Sequence, residues 1–280
     1  MDDSLRHRME SLSLELHDLA TAMSVEAWSA LVLNSADESR RDPRLPALPP
    51  PKIQKITNNL EGLKTLQGAA KLYAFVAGEV RARLPCAGPL RLLDFGCGWG
   101  RFARFFPQLT AESNICGVDP DERLIAACRR YLPRMNFSVS RPRKPLPFAD
   151  RTFDFVFSNS VFSHLNEKAH HFCMAEIARC TRPGGLLIVT TLGPARLQAM
   201  YSNTGWLGAM ARRIKSPERR LAAGELVFAP LSRLPLLGLP DYGLAFVPDG
   251  WTRQHWRPFF DLVDVRTNFS QDVNIALRRS

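Results

Sequence analysis

The spacing of apolar residues changes character along the chain. Between residues 4 and 33, apolar side chains recur at alternating steps of four and three, which predicts an amphipathic helix with a heptad-like stripe. The stripe consists of Leu5, Met9, Leu12, Leu16, Leu19 and Met23. Because it covers barely three heptads, docking of this helix on its own domain is favoured over a dimerising coiled coil. A homodimer through this helix stays as the alternative.

A stiff, extended linker is predicted next, since five prolines fall between residues 43 and 51. A helical pattern returns over residues 52–84, with breaks predicted near Gly62 and Gly68. The sequence thus divides into an N-terminal helical segment over residues 1–42, a proline-rich linker over residues 43–51 and a main domain over residues 52–280.

From Leu90 onward, short apolar runs alternate with helical stretches. Strands are predicted at residues 91–94, 114–119, 137–140, 153–158 and 186–191. Helices are predicted near residues 101–106, 122–131 and 167–181. Near the C-terminus, residues 261–267 and 271–277 have strand-like patterns, and the short link between them demands an antiparallel pair.

This alternation predicts an α/β fold with a Rossmann-like, doubly wound sheet. The sheet would hold five parallel strands plus a C-terminal antiparallel hairpin, seven strands in all, with helices at the N-terminus. Residues 192–250 fit no strand–helix unit, and we expect them to form an insertion that covers the open face as a lid.

Composition narrows the class of protein. Hydrophobic residues make up 45% and charged residues 23% of the 280 positions, which excludes a fibrous, collagen-like or wholly disordered chain. No apolar run approaches the ~18 residues that span a bilayer, and the Met-Asp-Asp start lacks the features of a signal peptide. The six cysteines have no metal-ligand spacing. We therefore expect a cytoplasmic protein with free thiols and no metal.

The charge balance adds a hint about partners. The chain carries 37 Lys and Arg against 27 Asp and Glu, a net charge of +10, which is compatible with an anionic partner such as nucleic acid, a lipid headgroup or an acidic glycan. The basic residues are mostly Arg, a skew that genome base composition would also produce, so the charge alone does not establish nucleic-acid binding. The insertion is basic, with Arg196, Arg212, Arg213, Lys215, Arg219, Arg220 and Arg233 opposed only by Glu218 and Glu225 between residues 196 and 233. It is predicted to be a basic amphipathic lid with an apolar face of Trp206, Leu207, Met210 and Ile214. A solvated helix packed on the core explains the same pattern.

The sharpest motif is a glycine loop. Residues 92–101 read LLDFGCGWGR, following a predicted strand and opening a predicted helix. A dinucleotide-binding loop would need a third glycine at Arg101, and the Lys-Ser/Thr pair of a phosphate-binding loop is absent. Asp94 at the front of the loop would repel a pyrophosphate. A cationic ligand is the better fit.

A second acid, Asp119, ends the next predicted strand. A carboxylate there can accept hydrogen bonds from both ribose hydroxyls of a nucleoside. One acid near a positive centre and one under a ribose describe S-adenosylmethionine, a nucleoside with ammonium and sulfonium groups and no phosphate. A helix-cap or turn role is the plainer alternative for each acid.

Four segments in order resemble the class I S-adenosylmethionine-dependent methyltransferases: LLDFGCGWGR, GVDPDERLI, PLPFADRTFDFVFSNSVFSHL and EIARCTRPGGLLIVTT. The resemblance runs from about residue 90 to 191 and resumes in the last thirty residues. It implies that S-adenosylmethionine is the cofactor, that the 183–185 Pro-Gly-Gly turn before the fifth strand is structural, and that Ser140 stands where the family often has an adenine-binding acid. The implied cofactor-binding residues are Asp94, Phe95, Gly96, Cys97, Gly98, Gly100, Arg101, Asp119, Pro120, Ser140, Ser158 and Asn159.

The segment after the fourth strand indicates the acceptor class. It lacks both the Asn/Asp-Pro-Pro-aromatic motif of amino-directed DNA methyltransferases and the Pro-Cys nucleophile of the cytosine-C5 type, which argues against nucleobase methylation. His164 is the best-placed candidate for a catalytic base, with a hydrogen-bonded loop histidine as the alternative. His170 and His171 are expected at the surface, and His255 either reaches the site or lies on a plain amphipathic helix.

A closer resemblance concerns bacterial methyltransferases associated with polysaccharide and other glycan biosynthesis. It is carried by SVFSHL after the fourth strand, the proline-rich entry and the tail Ser270-Gln271-Asp272-Val273. It implies methyl transfer to a hydroxyl of a small molecule or glycan. The alternatives are an RNA methyltransferase whose basic insertion holds phosphates together with the 141–144 run, and a non-catalytic scaffold that binds S-adenosylmethionine. Peripheral membrane contact through the insertion is a further option.

Overall fold

A computed structural model describes residues 15–84, 88–202, 206–230 and 241–280. Its helices are α1 (Val25–Asn34), α2 (Pro51–Asn58), α3 (Gly62–Arg83), α4 (Glu122–Tyr131), α5 (Glu167–Cys180), α6 (Pro194–Tyr201), α7 (Trp206–Ala211), α8 (Pro217–Ala222) and α9 (Asp249–Trp256). Its strands are β1 (Leu92–Phe95), β2 (Ile115–Asp119), β3 (Asn136–Val139), β4 (Phe153–Ser158), β5 (Thr181–Thr191), β6 (Val227–Pro230), β7 (Gly243–Phe246), β8 (Phe260–Arg266) and β9 (Asp272–Arg278).

The central sheet has seven strands in the order β3-β2-β1-β4-β5-β9-β8. β1 pairs with β2, and β2 with β3, in parallel register, whereas β9 pairs antiparallel with both β5 and β8. β6 and β7 form a separate antiparallel pair. The predicted Rossmann-like fold with a C-terminal hairpin is therefore confirmed.

The chain divides into two compact units. Unit 1 comprises Met1–Ser140 with Phe153–Phe155, and unit 2 comprises Arg141–Thr152 with Val156–Ser280. The predicted boundaries at residues 42–43 and 51–52 both fall inside unit 1. Among the described residues, no helix has the length and apolar character that crossing a bilayer requires.

The N-terminal part of unit 1 departs from the predicted single helix over residues 4–33. Residues 15–21 are helical, the chain then turns, and α1 begins after Ser24. The Ser24 hydroxyl accepts the Ala27 N–H, a cap that starts a new helix, so the prediction is wrong over this stretch. Trp28 of α1 is fully buried and donates to the Phe105 carbonyl at 2.8 Å, which docks this segment on its own unit. Leu5, Met9 and Leu12 lie outside the described residues.

The proline-rich stretch packs against unit 1. Leu45 is buried, the Arg104 guanidinium donates to the Pro46 carbonyl at 2.9 Å, and Gln54 donates to the Pro49 carbonyl at 2.7 Å. Of the two predicted helix breaks, the one near Gly62 is confirmed, because α2 ends at Asn58 and α3 begins at Gly62. The predicted break near Gly68 is wrong, since that residue lies inside α3.

Two local predictions around the sheet are also wrong. Residues 101–105 form turns in place of the predicted helix over 101–106, followed by a 3₁₀ turn at Phe106–Gln108. Pro107 has no N–H to donate, so it cannot continue a regular helix there. The Pro-Gly-Gly turn was predicted to precede the fifth strand, but it lies within β5, which begins at Thr181. Gly184 adopts a left-handed backbone conformation there, with φ 74°.

In unit 2 the described part of the insertion forms three short helices and the antiparallel β6–β7 pair around an apolar cluster. The buried members of this cluster are Leu192, Leu197, Ala211, Leu221, Val227, Ala229, Leu244 and Phe246, with Ile214 partly buried against it. Ile214 thus faces the insertion's own core. The side chains of Trp206, Leu207 and Met210, predicted to share its face, lie outside the described part of the chain.

Candidate functional site

The glycine loop after β1 turns back on itself through three left-handed positions. Gly96, Gly98 and Gly100 have φ values of 78°, 56° and 80°. The N–H groups of Gly96 and Cys97 both donate to the Val118 carbonyl, at 2.8 and 3.0 Å, which fixes the start of the loop to β2. Side chains with a Cβ avoid positive φ, so this backbone path depends on glycine.

Replacement of Gly100 by alanine is expected to lower the free energy of unfolding by ~2–4 kcal/mol, the sum of a strained φ and overpacking. A Cβ at this position would lie 2.3 Å from Leu132 Cδ1. Gly68→Ala is the matched control, since nothing lies within 4 Å of its Cβ in the interior of α3. That control is expected to gain ~0.5–1 kcal/mol in urea unfolding. Equal stabilities for the two variants would contradict the strained-loop description.

Helix α2 covers the glycine loop within unit 1. A Cβ at Gly98 would lie 2.9 Å from Thr57 Cγ2, near the C-terminal end of α2. The sequence predicted only a helical stretch after the linker and gave no position for it relative to the glycine loop. Pro51 at its first position was the available signal, because proline is favoured at the start of a helix.

Asp94 carries a buried carboxylate with a free acceptor atom. The residue is 2% exposed, and its Oδ2 has no hydrogen-bond partner among the described residues. Burial, and then the negative charge of Asp119, raise the pKa of Asp94 to about 8, while the Arg101 guanidinium opposes this shift. A buried carboxylate oxygen without a donor is costly unless a ligand supplies one. A ligand with an ammonium group fits this position.

Asp119 ends β2 with its two oxygens each held by one backbone donor. Oδ2 accepts the Gly98 N–H and Oδ1 accepts the Asp121 N–H, both at 2.9 Å. An ionised carboxylate offers about four lone-pair sites, so each oxygen can accept a further hydrogen bond from a ribose hydroxyl. Burial raises the pKa of Asp119 to about 6, against the two backbone hydrogen bonds, which lower it.

Removal of the Asp119 side chain is expected to weaken S-adenosylmethionine binding by ~1.5–3 kcal/mol, the worth of charge-assisted hydrogen bonds. Asp121→Ser is the control, because it removes the same charge but keeps a side chain that can cap α4 in place of Asp121. Calorimetry should give a weaker affinity for Asp119→Ala and a nearly native one for Asp121→Ser. An unchanged dissociation constant for Asp119→Ala would remove the ribose role.

The other cofactor-binding residues predicted in unit 1 lie at the end of β1 and in the loop that follows it, directly after β2 and directly after β3. Phe95 and Cys97 are buried, and Pro120 follows Asp119 as a half-buried residue. The Arg101 guanidinium lies 4.8 Å from the Phe102 ring centroid. The Ser140 N–H donates to the Asp119 carbonyl at 3.1 Å, which ties the end of β3 to β2. Their roles toward a cofactor stay predictions.

Unit 2 holds Ser158, Asn159 and His164. Ser158 is fully buried at the end of β4, and Asn159 is half-buried. His164 pairs its backbone with the insertion: its carbonyl accepts the Gly243 N–H at 2.8 Å, and its Nδ1 lies 2.7 Å from the Gly243 carbonyl oxygen. The ring stacks on Tyr242 at 4.9 Å between centroids.

These contacts fix the form of the His164 imidazole. A carbonyl oxygen only accepts, so Nδ1 carries the proton and Nε2 keeps its lone pair. Burial lowers the pKa of His164, which favours the neutral ring at pH 7. His164 thus offers a neutral imidazole with a basic nitrogen, and it is at the same time the hydrogen-bonded loop histidine that the sequence left open.

The three histidines of α5 and α9 differ in their exposure to solvent. His170 is fully buried and accepts the Trp256 Nε1–H at 2.9 Å, so its predicted surface position is wrong. Rings of Phe162, Trp251 and Trp256 surround it on the inner face of α5. His171 is exposed, as predicted. His255 lies on α9, with its Nδ1 2.8 Å from the Trp251 carbonyl.

The sequence placed Gln271 in the C-terminal tail motif but gave this residue no role. Its side chain accepts the Thr190 hydroxyl at 2.7 Å and donates to the Ser160 hydroxyl at 2.5 Å, and Thr190 also accepts the Ser160 N–H. Ser160 has φ 57°, a strained position for a residue other than glycine. The network holds the backbone just after β4 in this conformation. The Gln-Asp-Val tail was the available signal.

The comparisons with known proteins agree with this geometry. Residues 93–189 match the model of the methyltransferase domain family. A trans-aconitate 2-methyltransferase of Methylobacterium nodulans is 28% identical over 194 residues, covering 65% of each chain. A ubiquinone biosynthesis O-methyltransferase of Rhodopseudomonas palustris is 32% identical over 114 residues, covering 39% of this chain and 42% of that protein. The chain thus spans less than two thirds of the length of these relatives.

A solved structure of the PH0226 protein from Pyrococcus horikoshii OT3 has the same fold, with a TM-score of 0.52 and 19% identity over 75% of this chain and 92% of that one. In its sheet order, its glycine loop and the family match over residues 93–189, the chain resembles a class I S-adenosylmethionine-dependent methyltransferase domain. S-adenosylmethionine is the cofactor of that class. Asp94 with its unpartnered oxygen fits the ammonium group of this cofactor, and Asp119 fits its ribose.

Proposed function

We propose that this protein is an S-adenosylmethionine-dependent methyltransferase that methylates an oxygen atom of a small molecule or glycan. The observation that carries the proposal is the buried Asp94 carboxylate, whose Oδ2 lacks a partner among the described residues, at the front of a three-glycine loop. Asp119 adds a ribose acceptor within the same unit. A cationic nucleoside without phosphate satisfies both acids, and a dinucleotide does not.

His164 supports an oxygen acceptor. S-adenosylmethionine would supply a methyl carbon for in-line attack by an acceptor oxygen, with the thioether sulfur of S-adenosylhomocysteine as the leaving group. A neutral hydroxyl must lose its proton in this reaction, and the His164 Nε2 lone pair is suited to take it. His164 also follows β4, and doubly wound sheets bind their ligands beyond the carboxyl ends of the strands.

Two of the curated relatives point the same way. The Rhodopseudomonas palustris protein is named as an O-methyltransferase, as is a malonyl-[acyl-carrier protein] O-methyltransferase of Legionella pneumophila, which is 32% identical over 123 residues. The tail Ser270–Val273, which resembles glycan-associated methyltransferases, makes a sugar hydroxyl the first acceptor to test. A small molecule with a phenolic hydroxyl is the second.

An RNA acceptor receives less support from the described side chains. Of the basic residues that it would use, Arg143 pairs with Asp241, Arg220 pairs with Glu225, and Arg196 donates to the Thr267 and Phe269 carbonyls. Arg213, Lys215 and Arg219 are exposed and keep a basic surface on the insertion. Arg233 lies outside the described residues. Contact of this surface with a membrane rests on the same three residues.

The test is a methyl-transfer assay with S-adenosylmethionine labelled in the methyl group. Acceptors are offered in parallel: reducing and non-reducing sugars, simple phenols, small carboxylic acids, and total RNA. The proposal expects label in an oxygen-containing small molecule, and none in RNA. Transfer to RNA alone would overturn the acceptor class. Cofactor binding without transfer to any acceptor would favour the scaffold alternative.

A further inference from the structure

Three metal-ligating side chains meet on the surface of unit 2, outside the proposed methyl-transfer site. Glu167, His171 and His255 each place one ligand atom within 4.8 Å of the other two. Glu167 and His171 are four residues apart on α5, so they project from the same face of that helix. His255 comes from α9. The cluster therefore joins two helices that are far apart in sequence.

The two imidazole rings lie on a rigid support. Their centroids are 5.2 Å apart, and the Trp251 ring stacks on His255 at 4.1 Å and on His171 at 5.4 Å. Trp251 is only 3% exposed, so the core holds it in place. The closely stacked Trp251 ring limits the orientations open to His255.

His255 is already oriented as metal-bound histidines usually are. Its Nδ1 lies 2.8 Å from the Trp251 carbonyl oxygen, which only accepts, so Nδ1 carries the proton and Nε2 presents a lone pair. Metal-ligating histidines almost always donate their second ring N–H to a carbonyl or carboxylate in this manner. The hydrogen bond is made within α9 and needs no metal to form.

Glu167 and His171 are exposed, so a cation can reach their ligand atoms from solvent. Arg253, two residues before His255, forms an ion pair with Asp249 at 2.9 Å. Glu167 is the carboxylate that lies with the two imidazoles in the cluster.

We propose that Glu167, His171 and His255 form a binding site for a zinc ion, with water in the fourth position. Two histidines and one carboxylate are a ligand set that zinc takes in proteins. Zinc ligands lie about 2.0–2.2 Å from the ion, so their atoms come within ~3.4 Å of one another in a tetrahedron. Trp251 holds the half-buried His255, so rotation of the exposed Glu167 and His171 side chains would close the gap from 4.8 Å. The bound ion would fasten α9 to α5.

The test uses the full chain without a histidine tag, stripped of metal and titrated with zinc chloride in the calorimeter. The wild type is expected to bind one equivalent. His171→Gln, His255→Gln and Glu167→Gln are each expected to bind at least ~10-fold more weakly, since even indirect disturbances of metal ligands cost 10–100-fold. His17→Gln is the control, a half-buried histidine of unit 1 whose Nδ1 lies 2.7 Å from the Pro107 carbonyl. It should leave zinc affinity unchanged.

Cobalt provides a second readout that reports geometry. The wild type loaded with Co²⁺ should show the visible absorption of a tetrahedral site, and the His171→Gln/His255→Gln double variant should lack it. Melting temperatures of the metal-free proteins should agree, because His171 is exposed and His255 half-buried. Zinc binding that persists unchanged in the double variant would overturn the proposal. So would a wild type that takes up no zinc.

Discussion

Asp94→Asn is expected to abolish detectable S-adenosylmethionine binding and, at the same time, to stabilise the cofactor-free protein. The substitution keeps the shape of the side chain but removes the charge that we propose pairs with the ligand's ammonium group. In the free protein that charge is a burden, because the carboxylate is buried and its Oδ2 has no donor among the described residues. Thermal and urea unfolding at pH 8 should show a gain of ~1–3 kcal/mol.

The sign of the pH dependence follows from the raised pKa of Asp94. The folded protein holds a proton on Asp94 up to about pH 8, while the unfolded chain loses it near pH 3.8. The contribution of Asp94 to the free energy of unfolding is therefore fully present at low pH and is lost as the pH rises from about 4 to about 8. Cofactor binding behaves in the opposite sense, since a cationic ligand requires the ionised carboxylate.

Affinity for S-adenosylmethionine should thus rise at least ~10-fold between pH 6 and pH 8 in the wild type, about what a carboxylate pKa near 8 in the free protein implies. The Asp121→Ser variant should keep this pH dependence of affinity, since the Asp121 carboxylate is not one of the charges that shift the pKa of Asp94. An affinity that is flat across this range, or an Asp94→Asn protein that binds as tightly as the wild type, would contradict the assignment of Asp94.

His164→Gln is expected to lower kcat by ~10²–10⁴-fold while leaving the affinity for S-adenosylmethionine within about twofold of the wild type. Glutamine can still donate an N–H to the Gly243 carbonyl, so the contact with β7 is preserved while the basic nitrogen is lost. Steady-state kinetics with the acceptor found by the methyl-transfer assay measure the change. Calorimetry on the same sample measures cofactor binding.

The control for His164 is His17→Gln, which removes an imidazole bonded to a carbonyl in unit 1 and should leave kcat unchanged. A base role also predicts that the loss in kcat for His164→Gln shrinks as the pH rises, because hydroxide then competes as the base. A parallel loss of turnover, cofactor affinity and melting temperature would assign His164 a structural role only.

The sheet could be predicted from sequence because its strands are short, apolar and separated by turn residues. β1 and β2 are buried along their whole length, and such runs stand out against their polar surroundings. The acids Asp94 and Asp119 could be placed for the same reason, since each is the polar residue near the end of an apolar run. The link of three residues between the last two predicted strands allowed only an antiparallel pair.

The wrong predictions have local physical causes that the spacing of apolar residues does not reveal. Ser24 caps a new helix and so divides the single helix that was predicted over residues 4–33. Gly68 was tolerated inside α3, where tertiary packing outweighs the low helix propensity of glycine. His170 was expected at the surface, but Trp251 and Trp256 of α9 supply a buried aromatic environment that only the tertiary fold brings to α5.

The most direct test of the cofactor pocket is calorimetric titration of the full wild-type chain with S-adenosylmethionine and, separately, with S-adenosylhomocysteine. We expect one site per chain for both ligands, with dissociation constants on the order of micromolar, near −8 kcal/mol. NADH is the matched negative ligand, because its pyrophosphate would meet the Asp94 carboxylate. Absence of heat with both S-adenosyl ligands, in a sample that melts cooperatively, would contradict the assignment of Asp94 and Asp119 to a cofactor pocket.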